Sequence, residues 1–270
     1  MALLIGSLLV GVIFQMMSGQ ARMAGVQSAR EETQQNTRGA LEVMSSELRS
    51  AVPAAILEAT AQSLTFMQPR AWGLLCANAL LATQVDVVVP NVGTSAAWAA
   101  GAANGVLVQQ AASGALSPSP GLGVGGRASI TASQLLATTA CPLAPQGNVQ
   151  VVRLTTSAAV SGTAGDLVAL YTLTRYDVDT SDGRLWLRRN SGMSGNAFVQ
   201  QPLAGPLATG RFDLEYRTGA GAVLTRPVSA AERPLIRQVR IRVVTESTQR
   251  LNAVAQRDSG EAVVTLRNPL

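Results

Sequence analysis

The chain has no histidine and no lysine: all 21 basic residues are arginine, set against 16 acidic residues. Without those two side chains it cannot build a Ser-His-Asp or Cys-His site, a Schiff base, a Ser-Lys dyad or an ordinary His-bearing zinc site. Most hydrolase and lyase mechanisms are excluded, and neither an enzymatic activity nor a cofactor is expected. A GC-rich genome, which favours Ala, Gly, Val and Arg codons, accounts for the missing lysine.

The chemistry that remains is carboxylate chemistry, and it is sparse. Asp177, Asp179 and Asp182 lie in YDVDTSDGR, which approaches a calcium loop. The D-x-D-x-D-G ligand run is out of step, because Ser181 holds the fifth position and the glycine comes one late. A hairpin turn explains the same residues and is preferred. Asp213 and Glu215 share one face of a strand as a potential acid pair, but their alternation with Phe212, Leu214 and Tyr216 reads more simply as a solvated side. A literal G-x-G-x-x-G at Gly121, Gly123 and Gly126 comes after Ser-Pro-Ser-Pro rather than a strand, so it reads as a loop and not as a dinucleotide fingerprint.

The N-terminal region is different in kind. Residues 1–17, MALLIGSLLVGVIFQMM, carry one Gln and no charge, and as a helix they cover roughly 25 Å, slightly short of a ~30 Å hydrocarbon core. A cleaved signal peptide would need a basic n-region, which Met1-Ala2-Leu3 does not supply. A buried core helix fits poorly, since the far half turns polar on most sides. Helical periodicity continues through Met23, Val26, Arg30, Thr33, Thr37, Leu41, Met44, Leu48 and Val52, with Glu31, Glu32, Arg38, Glu42, Glu47 and Arg49 mostly off that stripe. Pro53 then ends the element. One spine helix over 1–52 is therefore expected, membrane-embedded over 1–17 and packed on a folded body beyond. Within it Gly11, Ser18 and Gly25 recur every seven residues, with Ser7 and Ala21 each four before a glycine of that line. Such a small-residue face suits close helix packing; the bland alternative is that the glycines merely loosen the helix.

Residues 53–270 read as a β-rich head. Short alternating or β-branched runs recur at 63–66, 84–89, 105–110, 149–156, 167–178, 184–189, 211–217, 239–244 and 262–266, broken by turn residues such as DTSDG and TGAGA. About 91–127 is an Ala/Gly/Ser-rich insertion. Cys76 and Cys141 bracket it, and in an exported head they are expected to pair, with free buried thiols as the alternative. Nine Arg against four acids fall in 211–257. Arg240 and Arg242 share a strand face that could hold phosphates of DNA or anionic lipid, although a solvated face is the preferred reading.

An apolar helix running into TRGALEVMSSELRSAV, and then into a β-rich head, resembles the type IV pilin-like proteins. The likeness is to PilW-like minor pilins and the J-type pseudopilin of type II secretion. It extends through LVALYTLTRYDVDTSDGRLWLRRNSG (167–192), RFDLEYRTGAG (211–221), LIRQVRIRVVTES (235–247) and AVVTLRNPL (262–270). The family's basic leader and Glu-containing start are missing, and ALLIGSLLVGVIF resembles the apolar segment immediately after that Glu, so the chain is expected to begin late. Arg22, Arg30 and Arg38 agree, since only a missing basic leader restores a head-out orientation. The resemblance implies an α+β pilin fold, a non-enzymatic minor pilin that primes or caps a filament, and other pilins and the inner membrane as partners. It further implies a single-pass inner-membrane placement with a periplasmic or extracellular head. Twitching, adhesion or DNA uptake would lie downstream, and a secretion pseudopilin or a membrane-anchored binding module are the alternatives.

Overall fold

The computed structural model describes residues 2–90, 98, 104–117, 128–143, 149–194, 197–251 and 254–267. The side chains of 2–10, 12, 90, 193, 194, 197, 198 and 249–251 fall outside that description. A single helix, α1 (Ala2–Ser50), opens the chain. Val52 is extended ahead of Pro53, as a residue before proline must be, and a short 3₁₀ turn, Pro53–Ala55, leads into the sheet.

Twelve strands come next among the described residues: β1 (Ile56–Ala59), β2 (Ser63–Leu75), β3 (Ala79–Pro90), β4 (Gly105–Gln109), β5 (Leu116–Ser117) and β6 (Ile130–Leu136). The second six are β7 (Val149–Gly162), β8 (Leu167–Ser181), β9 (Arg184–Ser194), β10 (Ala197–Thr218), β11 (Ile236–Leu251) and β12 (Val254–Thr265). They form one sheet in the order β12-β11-β10-β9-β8-β2-β3-β7-β6, with β1 beside β2 and β4 beside β5 and β8. Every pairing is antiparallel.

The expected α+β pilin fold is therefore corrected: the chain is mainly β, with one helix packed on it. The strands run well past the alternating runs that reveal them in the sequence. β10 takes in Pro202, Gly205, Pro206 and Gly210, residues that read as breakers, because register shifts on both of its sides absorb them.

Strand β8 organises the sheet. Its N-terminal half lies between β2 and β4, and its C-terminal half between β2 and β9. From Val168 to Thr174 all but Ala169 are buried, which is why LVALYTLT reads as a nearly unbroken run rather than an alternation. One core gathers Val168 and Leu170 with Leu75, Val87, Trp98, Val106 and Leu154. The other gathers Tyr176 with Phe66, Leu214, Tyr216 and Ile241, under Ala40, Met44 and Leu48 of α1. The Ala/Gly/Ser-rich stretch thus contributes β4 and the buried Trp98 to a core. Its G-x-G-x-x-G lies outside the described residues.

The β8–β9 hairpin closes through Asp182 and Gly183, whose φ values of 52° and 70° are those of the primed turn that matches strand twist. Cys76 and Cys141 form a disulfide with Cα atoms 5.2 Å apart. It packs with Val88 of β3 and Val151 of β7, so it ties the end of β2 to the segment after the edge strand β6.

Where the helix meets the sheet, Ala29, Thr33, Thr37, Ala40, Met44, Leu48 and Ala51 are buried. Arg30 of the expected stripe is exposed, and Leu41 and Val52 are half-buried. Alanine recurs along the contact, at 29 and 40 and at 51 just past the helix, because the helix lies close to the strands. Gly260 on β12 makes this explicit: a Cβ there would stand 2.6 Å from both Thr37 Cγ2 and Leu41 Cδ1.

Among the described residues no helix is long and apolar enough to cross a membrane. The single-pass inner-membrane placement and the membrane-embedded span 1–17 are corrected accordingly. From Gly11 onward the exposed helix carries Gln15, Ser18, Gln20 and Arg22 among its apolar residues, which breaks the run; most side chains of the first twelve residues lie outside the description.

Candidate assembly surface

Helix α1 has 49 residues, roughly 73 Å at 1.5 Å per residue. Its C-terminal half is fixed to the sheet by polar contacts as well as apolar ones. The Thr245 hydroxyl donates to the Thr33 carbonyl at 3.0 Å and lies 2.8 Å from the Thr37 hydroxyl. With its single proton already committed, Thr245 accepts from Thr37. Asn36 Nδ2 donates to the Gly205 carbonyl at 3.1 Å.

A charged clamp sits further along. Arg189 of β9 donates through Nε to Glu47 Oε1 at 2.9 Å and through Nη2 to the same oxygen at 2.5 Å, while the Tyr176 hydroxyl donates to Glu47 Oε2. The Glu47 and Arg189 side chains are only 12% and 18% exposed. Hydrogen bonding to Glu47 pushes the Arg189 guanidinium further up, against the opposing effect of burial. Burial, reinforced by the Glu47 charge, pushes the Tyr176 phenol well above its ordinary value. Arg189 and Tyr176 therefore stay protonated across the physiological range, and both keep donating to Glu47.

The N-terminal half of the helix is free of the head. Position 11 and positions 13–24 are all exposed, and Ile13, Phe14, Met16, Met17 and Met23 are each more than half exposed. At about 100° per residue, Ile13, Phe14, Met16 and Met17 spread over an arc of about 160°, with Gln15, Ser18 and Arg22 on the opposite side. An exposed apolar face that wide calls for partners to cover it.

Gly11, Ser18 and Ala21 of the expected small-residue face are exposed, and Gly25 is half-buried where the helix reaches the head. A Cβ at Gly11 would meet nothing within 4 Å, so the face is open there. Ser18 Oγ donates to the Gln15 carbonyl at 2.9 Å, which satisfies the hydroxyl within its own helix. The side chain of Ser7 lies outside the described residues.

The remaining expected sites resolve into ion pairs. Arg240 binds Glu261 through two hydrogen bonds of 2.7 and 2.9 Å. Arg242 is flanked by Asp213 on β10 and Glu261 on β12. Asp213 pairs with Arg226 at 2.6 Å and Glu215 with Arg217 at 2.7 Å, so neither an acid pair nor a bare arginine stripe is formed. Charge of both signs alternates across this face, four arginines against three carboxylates, which gives an approaching phosphate little net attraction. Duplex DNA is therefore expected to bind weakly or not at all at physiological ionic strength. Tight binding with a steep salt dependence, flattened by about two units of slope in the Arg240→Ala/Arg242→Ala variant, would contradict this.

In the candidate calcium loop, Asp177 accepts from Asn190 Nδ2 at 2.9 Å and pairs with Arg175 at 3.0 Å, and Asp179 pairs with Arg188 at 2.5 Å. Among the described residues no group of three or more candidate ligands could hold a metal ion. The clamp itself escaped the sequence reading, which placed Glu47 on the watery side of the helix; its partner is 142 residues away, and no local spacing signals it.

No family model, no curated protein and no solved structure matches the chain.

Proposed function

We propose that this protein is a non-enzymatic structural subunit, a minor pilin-like component that helps initiate or cap a type IV pilus-like filament. The observation that carries the reading is the free half of α1, which exposes apolar side chains over about half of its circumference while remaining continuous with a half locked onto a rigid β head. Phe14 and Met16 lie about 160° apart around the helix, so a single helix laid along one side would leave one of them in water, whereas neighbours on both flanks of that face cover all four side chains. The resemblance of the helix and of the 167–192 and 211–221 segments to minor pilins supports the same reading. The partners are other pilin-type subunits, met through their own N-terminal helices, with Gly11 and Ser18 allowing close backbone approach.

Substitution separates a packing face from a merely loosened helix. Gly11→Leu with Ser18→Leu is expected to abolish co-purification with partner subunits, while Ala at both positions leaves it nearly intact. Unchanged assembly of the double Leu variant would sink the packing face and shift recognition to the head.

A further inference from the structure

Aromatic residues are scarce, only 4% of the chain, and there are three tryptophans. Trp98 is spent in the core. Trp186 is not: on β9 it alternates with Leu185 and Leu187, which pack in or against the core under α1, so its side chain stands on the opposite, outer face of the sheet. Its position depends on a glycine. A Cβ at residue 205 would lie 2.7 Å from Trp186 Cε3 and 3.0 Å from Cδ2, so the ring keeps its place only because that residue is Gly205.

A cleft of about 330 Å³ opens beside the ring, lined by Ser181, Asp182, Trp186, Arg188, Gln200 and Pro202. Arg188 is oriented by Asp179 at 2.5 Å and by Gln200 Oε1 at 2.5 Å, which fixes a guanidinium and an amide at the wall. Asp182, at the hairpin tip, is exposed and has no hydrogen bond or ion pair among the described residues. Its carboxylate is an available acceptor.

The geometry points to a saccharide-binding cleft. A pyranose has an apolar C–H face suited to an indole and a rim of hydroxyls that both donate and accept. Trp186 with Pro202 supplies the first surface; the Asp182 carboxylate, the Gln200 amide and the Arg188 guanidinium supply acceptors and donors for the second. The volume suits one or two sugar rings, within the ordinary range of small-molecule sites. Pre-positioning by Gly205 and by the Asp179–Arg188–Gln200 chain removes much of the ordering cost that weakens binding at flexible surfaces. This site is independent of the helical stem.

Saturation-transfer NMR on the full chain, with cellobiose, lactose and N,N′-diacetylchitobiose as probes, tests it. At least one disaccharide is expected to receive saturation and to bind with millimolar affinity. Trp186→Ala should weaken that binding about tenfold or more. Asp182→Asn, at an exposed turn where folding is not at stake, should weaken it severalfold, while Trp72→Ala leaves it unchanged. No saturation of any of the three sugars overturns the assignment. So does a signal that survives both Trp186→Ala and Asp182→Asn, or binding of a proline-rich peptide, the other ligand class that stacks on tryptophan, in place of the sugars.

Discussion

Arg189→Ala is expected to lower the unfolding free energy by about 3–5 kcal/mol, the cost typical of removing one partner from a buried ion pair. The effect is large because of what stays behind. The Glu47 carboxyl group would lose its arginine partner in a site only 12% exposed, with the Tyr176 hydroxyl as its remaining donor. The helix would lose a tether between Met44 and Leu48, at the centre of its contact with the sheet. Chemical denaturation monitors this directly, with the midpoint falling at little change in slope. A companion variant isolates the cause: Glu47→Leu with Arg189→Met removes both charges and should recover most of the loss, because a buried pair replaced by apolar groups of similar size is often neutral or better. If Arg189→Ala costs less than about 1 kcal/mol, the value typical of an exposed pair, the clamp is not what fastens the helix.

Removing the disulfide should cost a comparable amount. Cys76 and Cys141 are 65 residues apart in sequence, and in the chain-entropy model closing a loop of that length stabilises the fold by about 4 kcal/mol, chiefly by restricting the unfolded chain. Both sulfur-bearing residues are buried against Val88 and Val151, so Cys76→Ala/Cys141→Ala also leaves a small space that adds to the loss. The wild-type protein under strong reductant should fall to nearly the same stability as the double variant. A protein whose unfolding is indifferent to reductant would contradict this account. Two free thiols in an unreduced digest of natively produced protein would do the same.

Much of the fold was legible because local signals and tertiary structure agreed. Pro53 ended the helix; Asp182-Gly183 made the turn; the runs at 167–178 and 239–244 became β8 and β11. What escaped was set at a distance. Ala29, Ala40 and Ala51 form the contact line where Arg30, Leu41 and Val52 were expected, because small side chains carry little apolar signal yet are what a close helix-on-sheet contact requires. Glu47 read as a solvated charge until the fold brought Arg189 to it. Strand β6 and the first half of β10 were hidden by alanine, serine, proline and glycine, whose weak strand preference is overridden by pairing with neighbours. The helix class was read correctly over its length, but the bilayer expected around its first turns was not supported.

The central claim is that the free half of α1 is a stem packed between neighbouring subunits. Photo-crosslinking tests it most directly, with benzoylphenylalanine placed at Phe14 and, in a separate protein, at Met16, two positions about 160° apart around the helix, in cells that make the protein natively. Both are expected to give covalent adducts whose partner peptides map to the N-terminal helices of pilin-type subunits. Adducts from neither position, or adducts confined to a single side and to an unrelated partner, would contradict the account.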